Sequence, residues 1–303
     1  MSEDEETSSW CCISCCASCG IAAVDDIELK ECDSCDLVQY CSDTCRELHR
    51  PEHEEDCKKR AAAIRDELLF KQPESSHMGD CPICMIPLPI DDIAKTSLTG
   101  CCSTFICHGC VSANKNRETE LRLKQSCPFC RQPLPATREE AGELMMKRIE
   151  ANDPVAIRKE GSEQNDKGDY SKAFEYWKRA AELGDAEAHL KLACTYHLGE
   201  SVEKDFGKYI HHLEEAAIGG HPEARSLLGR HEYNVGDKER AVKHWLASAA
   251  QGHDDSIKAL MEVYKAGFVS KEDLTAALRA HQAAVNATKS PQREAAEKIE
   301  RVY

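Results

Sequence analysis

Positive charge is in short supply in this chain. Across its 303 residues, 39 Lys and Arg face 54 Asp and Glu, a formal net charge of −15. Nucleic-acid binding rests on cations that neutralise phosphates, and the one compact basic cluster is Lys58-Lys59-Arg60. Neither duplex nucleic acid nor an anionic membrane surface is therefore expected as a main partner. Long apolar runs are missing too. The uncharged stretch from Cys11 to Val24 is 14 residues long, too short to span a bilayer. The opening residues Met1-Ser2-Glu3-Asp4-Glu5-Glu6 are acidic where a secretory signal needs positive charge. The expectation is an intracellular protein, cytoplasmic or nuclear, in which paired cysteines hold metal more often than they form disulfides. No phosphate-binding loop, dinucleotide fingerprint or nucleophile elbow is present. Cysteine itself is scarce in only one half: of 19, Cys194 alone lies beyond residue 130. The chain reads as a cysteine-rich front joined to a cysteine-poor back.

The front holds two clusters. In the first, Cys16-x2-Cys19 is followed by Cys32-x2-Cys35, Cys41-x3-Cys45, His53 and Cys57. A segment this short cannot bury enough apolar surface to fold alone. Structural zinc supplies about 10–16 kcal/mol per site and takes thiolate and imidazole ligands at such spacings. The pattern, with Tyr40-Cys41-Ser42 inside it, resembles the MYND zinc finger. The resemblance implies cross-bracing, with Cys16, Cys19, Cys41 and Cys45 on one ion and Cys32, Cys35, His53 and Cys57 on the other. Cys11, Cys12 and Cys15 are surplus. Cys12-x2-Cys15 is an alternative first pair, but Gly20 favours Cys16-x2-Cys19 by allowing a tight turn behind it. MYND fingers commonly bind proline-rich peptides through a Gln and a Trp; those places here hold Arg46 and Arg50, which would suit an acidic partner better. MYND fingers also occur in lysine methyltransferases, but no glycine-rich cofactor segment supports that here.

The second cluster comprises Cys81-x2-Cys84, the adjacent pair Cys101-Cys102, Cys107-x2-Cys110 and Cys127-x2-Cys130. It resembles a RING finger over residues 81–130. The resemblance implies that Cys81, Cys84, Cys107 and Cys110 share one zinc, and that Cys127 and Cys130 share the other with two ligands from residues 101–108. The family's histidine position holds Thr104, whose neutral hydroxyl is a poor zinc ligand. Cys101 beside Cys102 is the expected replacement, since two thiolates on one zinc sit about 3.8 Å apart and adjacent residues can meet that in a turn after Gly100. His108 reaching across, or a site of three cysteines and a weak fourth ligand, remain as alternatives. Ile83, Pro128 and Arg131 match the positions by which ubiquitin-ligase RINGs hold a ubiquitin-conjugating enzyme: two apolar contacts and a cation bridging enzyme and ubiquitin.

Between the clusters and behind them the pattern turns helical. Ala61, Ile64, Leu68 and Leu69 predict a helix over 58–72, ended by Pro73 to Gly79. Thr137-Arg-Glu-Glu140 is a capping box, and Asp153-Pro154 opens another helix. The chain then repeats itself around Gly184, Gly220 and Gly252, spaced 36 and 32. Seven residues before each stand Trp177, Leu213 and Trp245; four before, Ala180, Ala216 and Ser248; eight after, Leu192, Leu228 and Leu260. The four extra residues fall in Gly199-Glu-Ser-Val202-Glu-Lys-Asp205, which resembles the loop of Sel-like tetratricopeptide repeats. Cys194 is expected to be a buried small hydrophobe, and the eight histidines from His189 to His253 to be loop and surface residues.

The expected fold is two small zinc-stabilised cross-brace modules (MYND, RING) followed by an all-α helical-repeat solenoid. Its expected parts are an acidic disordered tail (1–10), a MYND-like finger (11–57), a helical linker (58–77), a RING-like finger (78–135), a linker helix (136–152), Sel-like repeats (153–288) and a C-terminal tail (289–303). About four Zn2+ per chain are implied. Function follows as a RING-type ubiquitin ligase, with a conjugating enzyme on the RING and an unidentified substrate chosen by the repeats and the MYND finger. The rival reading is a non-enzymatic adaptor; a transcriptional cofactor is a weaker third, by analogy alone.

Overall fold

The computed structural model describes residues 15–23, 28–90 and 95–300. The acidic tail expected over 1–10, with Cys11 and Cys12, lies outside them. The chain divides into two compact units, one ending at Leu69 and one beginning at Phe70.

The first unit owes little to apolar packing. A two-residue antiparallel ribbon pairs β1 (Lys30–Glu31) with β2 (Gln39–Tyr40), in the register Lys30↔Tyr40 and Glu31↔Gln39. Helix α1 (Asp43–Phe70) follows. It begins fifteen residues before the predicted linker helix and runs through Pro51, which has no N–H to give its own turn. Three expected zinc ligands, Cys45, His53 and Cys57, therefore ride on one helix.

The second unit starts with the second finger. Strands β3 (Thr96–Thr99) and β4 (Thr104–Cys107) form a hairpin with Thr99 opposite Thr104. Its four-residue loop carries Cys101 and Cys102. Helix α2 (His108–Glu120) continues directly from β4, and α3 (Arg138–Glu150) follows. Half of the capping box forms, with Thr137 accepting from the Glu140 N–H at 3.1 Å; the Glu140 carboxylate takes the Ala136 N–H at 2.8 Å, one residue before the cap.

Eight helices then stack as hairpins: α4 (Pro154–Asp166) with α5 (Tyr170–Glu182), α6 (Ala186–Leu198) with α7 (Phe206–Ile218), α8 (Pro222–Val235) with α9 (Lys238–Ala249), and α10 (Asp254–Lys265) with α11 (Lys271–Ala287). Asp153, Asp169, Asp185, Asp205 and Asp237 each cap a helix by accepting from its first-turn N–H groups. The repeat register is visible in the packing. Trp177, Leu213 and Trp245 are all buried, as are Ala180, Ala216 and Ser248 and Leu192, Leu228 and Leu260. Gly184, Gly220 and Gly252 share a left-handed backbone, φ +86°, +83° and +95°, which a glycine adopts without strain.

Two expectations about the repeats fail. His221, His244 and His253 are buried rather than on the surface; the His77 ring stacks on His221, and the Phe70 ring packs against His244 within α9. Cys194 is exposed rather than buried; it points away from the face on which Leu192 and Ala193 pack. Within the segment expected as a tail, residues 291–300 form helix α12 (Pro291–Glu300), which packs against α2.

Candidate metal centres and contact face

Among the described residues four groups of four donors converge, each with its ligand atoms within 4.8 Å of one another. They are Cys16, Cys19, Cys41 and Cys45; Cys32, Cys35, His53 and Cys57; Cys81, Cys84, Cys107 and Cys110; and Cys101, Cys102, Cys127 and Cys130. Sulfur separations of 3.6 Å (Cys19–Cys41), 3.7 Å (Cys32–Cys57), 3.8 Å (Cys84–Cys107) and 3.9 Å (Cys102–Cys127) match the roughly 3.8 Å of thiolates sharing a tetrahedral zinc. The donor sets are those of about four bound zinc ions.

The cysteine pairs sit in knuckles of one design. Behind Cys19, Cys84 and Cys130 come Gly20, Met85 and Arg131, at φ +76°, +55° and +62°. Their N–H groups donate back to the carbonyls of Cys16, Cys81 and Cys127 at 2.8–3.0 Å. The turn thus forms whether or not a glycine is there. For Met85 and Arg131 the left-handed backbone costs roughly 1–2 kcal/mol, an amount that metal binding at the knuckle easily exceeds. In the first finger Cys15 is exposed and outside the cluster. His53 Nε2 lies 3.2 Å from the Cys35 sulfur, and its ring stacks on His49, whose Nδ1 is 3.1 Å from the Tyr40 hydroxyl.

The hairpin loop brings both adjacent cysteines to one point. Cys101 is 3.3 Å from Cys130, and Cys102 is 3.9 Å from Cys127. The left-handed residue of the loop is Ser103 (φ +51°), not Gly100. The Thr104 hydroxyl lies beside the site, 3.1 Å from the Cys102 carbonyl, and is not one of the four converging donors, and His108 lines a cavity beside Pro87 and Arg293. Four thiols this close cannot all ionise on their own. Burial pushes the Cys101 thiol up, and Cys130 and Cys127 add to that. Burial also acts on Cys102, but hydrogen bonds led by Thr104 and Thr99 bring it down to about 7. A dication would relieve the conflict by favouring every thiolate at once.

Two groups outside the clusters brace the second finger. Glu118, buried on α2, accepts from the Ser126 hydroxyl at 2.6 Å and the Ser126 N–H at 3.1 Å, fixing the chain that enters Cys127. Arg293 on α12 donates to the carbonyls of Ile86 (2.9 Å) and Pro87 (2.7 Å) and stands 3.5 Å from the Cys84 sulfur. Gln292 donates to the Gly109 carbonyl at 3.0 Å. A side chain at Gly109 would meet the Arg293 backbone at 3.0 Å, so the close approach needs glycine there. No short-range pattern marked Glu118, Gln292 or Arg293.

The three candidate partner residues lie at the tips of the knuckles. Ile83 is 41% exposed, Pro128 is half-buried, and the Phe129 ring beside it is 49% exposed. Arg131 is exposed but tied down, donating to Asn114 Oδ1 on α2 at 2.9 Å. In the first finger Arg46 pairs with Asp33 and, at 3.1 Å, with Asp43. Its charge is already matched, which leaves Arg50 as the exposed cation of that pair.

A fifth convergence joins His77, Glu187 and His221. The imidazoles stack at 3.9 Å between centroids and 14° between planes. Imidazole binds metal in the plane of its ring, and two parallel rings at this distance share no such point. The cluster is instead two imidazoles over one carboxylate, with His221 Nε2 at 2.8 Å and His77 Nε2 at 3.7 Å from Glu187 Oε2.

Comparison with known proteins supports the outer parts of this picture. Residues 16–57 match the MYND finger, and residues 160–185, 186–221 and 222–253 match Sel1 repeats; the second finger falls outside both. An uncharacterized protein of Neisseria meningitidis serogroup B is 30% identical over 100 residues, which are 33% of this chain and 21% of that protein. The chain thus spans about a fifth of the length of this curated relative. Among solved structures, a Sel1 repeat protein from Oxalobacter formigenes is 29% identical, with 50% of this chain and 65% of that one covered and a TM-score of 0.43. The protective antigen c5321 of uropathogenic Escherichia coli is 20% identical, with 56% and 37% covered and a TM-score of 0.38. A MYND finger and Sel1 repeats make this chain a zinc-binding protein-interaction scaffold. Among the described residues no helix is long and apolar enough to cross a membrane.

Proposed function

We propose that the scaffold is a RING-type ubiquitin ligase, with residues 81–130 as the RING and Ile83, Pro128 and Arg131 as its contact face for a ubiquitin-conjugating enzyme. The observation that carries the reading is the pairing of two interleaved four-cysteine groups with exposed apolar side chains at the tips of their knuckles. Zinc with four protein ligands has no open position for a substrate or water, so the metals hold shape and do no chemistry. The work is proximity: a charged conjugating enzyme is held against a substrate lysine, and the repeats and the MYND finger choose the substrate. One observation favours the rival adaptor reading, in which the modules only bind: Arg131 is bonded to Asn114 and must leave it to reach ubiquitin.

The test is autoubiquitination by the purified chain with a panel of conjugating enzymes. Truncating an apolar anchor costs about 2 kcal/mol, roughly thirtyfold in affinity. Ile83→Ala is expected to abolish chain formation with all four zinc ions retained, and Arg131→Ala to slow ubiquitin discharge with conjugating-enzyme binding intact. A wild type that engages no conjugating enzyme, or a fully active Ile83→Ala, establishes the adaptor.

A further inference from the structure

We infer that the face of the repeats built from α8, α9 and the turn before α8 is a peptide-binding surface, and that its ligand is this chain's own segment Phe70–His77. The segment is met by the devices that grip an extended peptide. Arg225, fully buried on α8, donates to the Lys71 carbonyl at 3.0 Å. This is a main-chain grip that ignores side-chain identity. The Gln72 amide donates to the Ala247 carbonyl at 3.4 Å, and the His77 N–H donates to the Gly220 carbonyl at 3.3 Å. Gly220 is needed there, because a Cβ would stand 3.2 Å from the Ser75 carbonyl oxygen.

Both ends are anchored by side chains. The Phe70 ring lies 4.7 Å from the His244 ring, with the Arg240 guanidinium 4.9 Å from its centre, a cation over an aromatic face. At the other end His77 stacks on His221 above Glu187. A long arginine wholly buried in a helical repeat is costly unless it is satisfied, and the Lys71 carbonyl is one of the groups that satisfy it. The residues held lie 154 positions from Arg225, so this is a tertiary docking and not a local turn.

The consequence concerns partners. A foreign peptide can reach this face only by displacing a segment tethered beside it, whose effective concentration is of millimolar order. Clients of the repeats accordingly bind elsewhere, or open the chain by competition. The inference stands whether or not the second finger transfers ubiquitin.

The first test uses the full chain with residues 70–77 replaced by eight Gly and Ser residues, its zinc content and helical signal checked against wild type. A fluorescein-labelled peptide of the sequence Phe-Lys-Gln-Pro-Glu-Ser-Ser-His is expected to bind this variant and to bind wild type at least about a hundredfold more weakly. A folded variant that ignores the peptide, or equal binding to both proteins, overturns the inference. The second test needs no replacement. In hydrogen exchange of the full chain, Arg225→Leu is expected to speed the amides of residues 71–77 at least about tenfold and to leave α5 unchanged. Unchanged exchange in the segment overturns the inference independently.

Discussion

Gly161→Ala puts two opposing effects on one atom. In an exposed helix the change gains about 1 kcal/mol from propensity. Here a Cβ on Gly161 would stand 2.6 Å from Trp177 Cδ1 and 2.7 Å from its Nε1. The indole is rigid and buried, and forcing such overlap into a packed core costs about 1–3 kcal/mol. The third Sel1 match repeats the arrangement sixteen residues apart again, with Gly229 2.7 Å from Trp245 Nε1 by the same construction. In the middle match, allowing for four extra loop residues, the pair is Ala193 with the smaller Leu213, both fully buried. Size at one position is therefore traded against size at the other. Gly161→Ala should destabilise by about 1 kcal/mol net, and Trp177→Leu by about 2–4 kcal/mol through the cavity it leaves. The double variant recreates the middle pair and should recover at least about 1 kcal/mol of the sum. Urea unfolding of the zinc-loaded chain, followed by far-ultraviolet circular dichroism, measures all four corners of the cycle. Singles that add to within about 0.5 kcal/mol, or a Gly161→Ala more stable than wild type, would refute the reasoning.

Cys101→Ser should lower the zinc count of the purified chain from four to three, whereas Thr104→His should leave it unchanged because that side chain bonds the Cys102 carbonyl; elemental analysis checks both. Acid should loosen the segment docked on the repeats. Burial first, and then His221, hold the His77 imidazole down at about 3 against the pull of Glu187, with Arg158 also nearby. Such a group contributes its full stability above the unfolded value near 6.5 and loses it as pH falls toward 3. Burial pushes the Glu187 carboxylate up, but His221, Lys191 and Arg158 together hold it well below its usual range, so it stays ionised throughout. Going from pH 7 to pH 5 should cost about 2 kcal/mol, seen as roughly thirtyfold lost exchange protection over residues 71–77. His77→Phe should abolish that loss, and comparing it with wild type cancels any release of zinc.

The parts legible in the sequence are those set by short spacings. Trp177, Leu213 and Trp245 fall at one offset from Gly184, Gly220 and Gly252 because a solenoid's contacts are made between neighbouring helices, so its pattern survives in one dimension. The cysteine groups are legible because two ligands of a knuckle must lie three or four residues apart. What is not legible depends on distant chain. His221 is buried because His77 stacks on it, and Arg293 meets Cys84 across more than two hundred residues; neither partner leaves a period in the sequence. Cys194 departs from its local pattern for a simpler reason. A small apolar residue flanked by Leu192 and Ala193 reads as core, yet one step around a helix turns it by about 100°, out of the packed face.

The interleaving of the two cysteine groups in the second finger has a consequence in polymer terms. The ions act as cross-links on overlapping loops: one ties Cys84 to Cys107 and the other ties Cys102 to Cys127. Closing a loop costs entropy that grows with the length of free chain between its ends. Whichever cross-link forms first has already drawn in part of the other loop, so the second closes at a smaller entropic cost than it would alone. The finger therefore favours its empty and doubly linked forms over either single one, and it assembles or comes apart as one knot of chain.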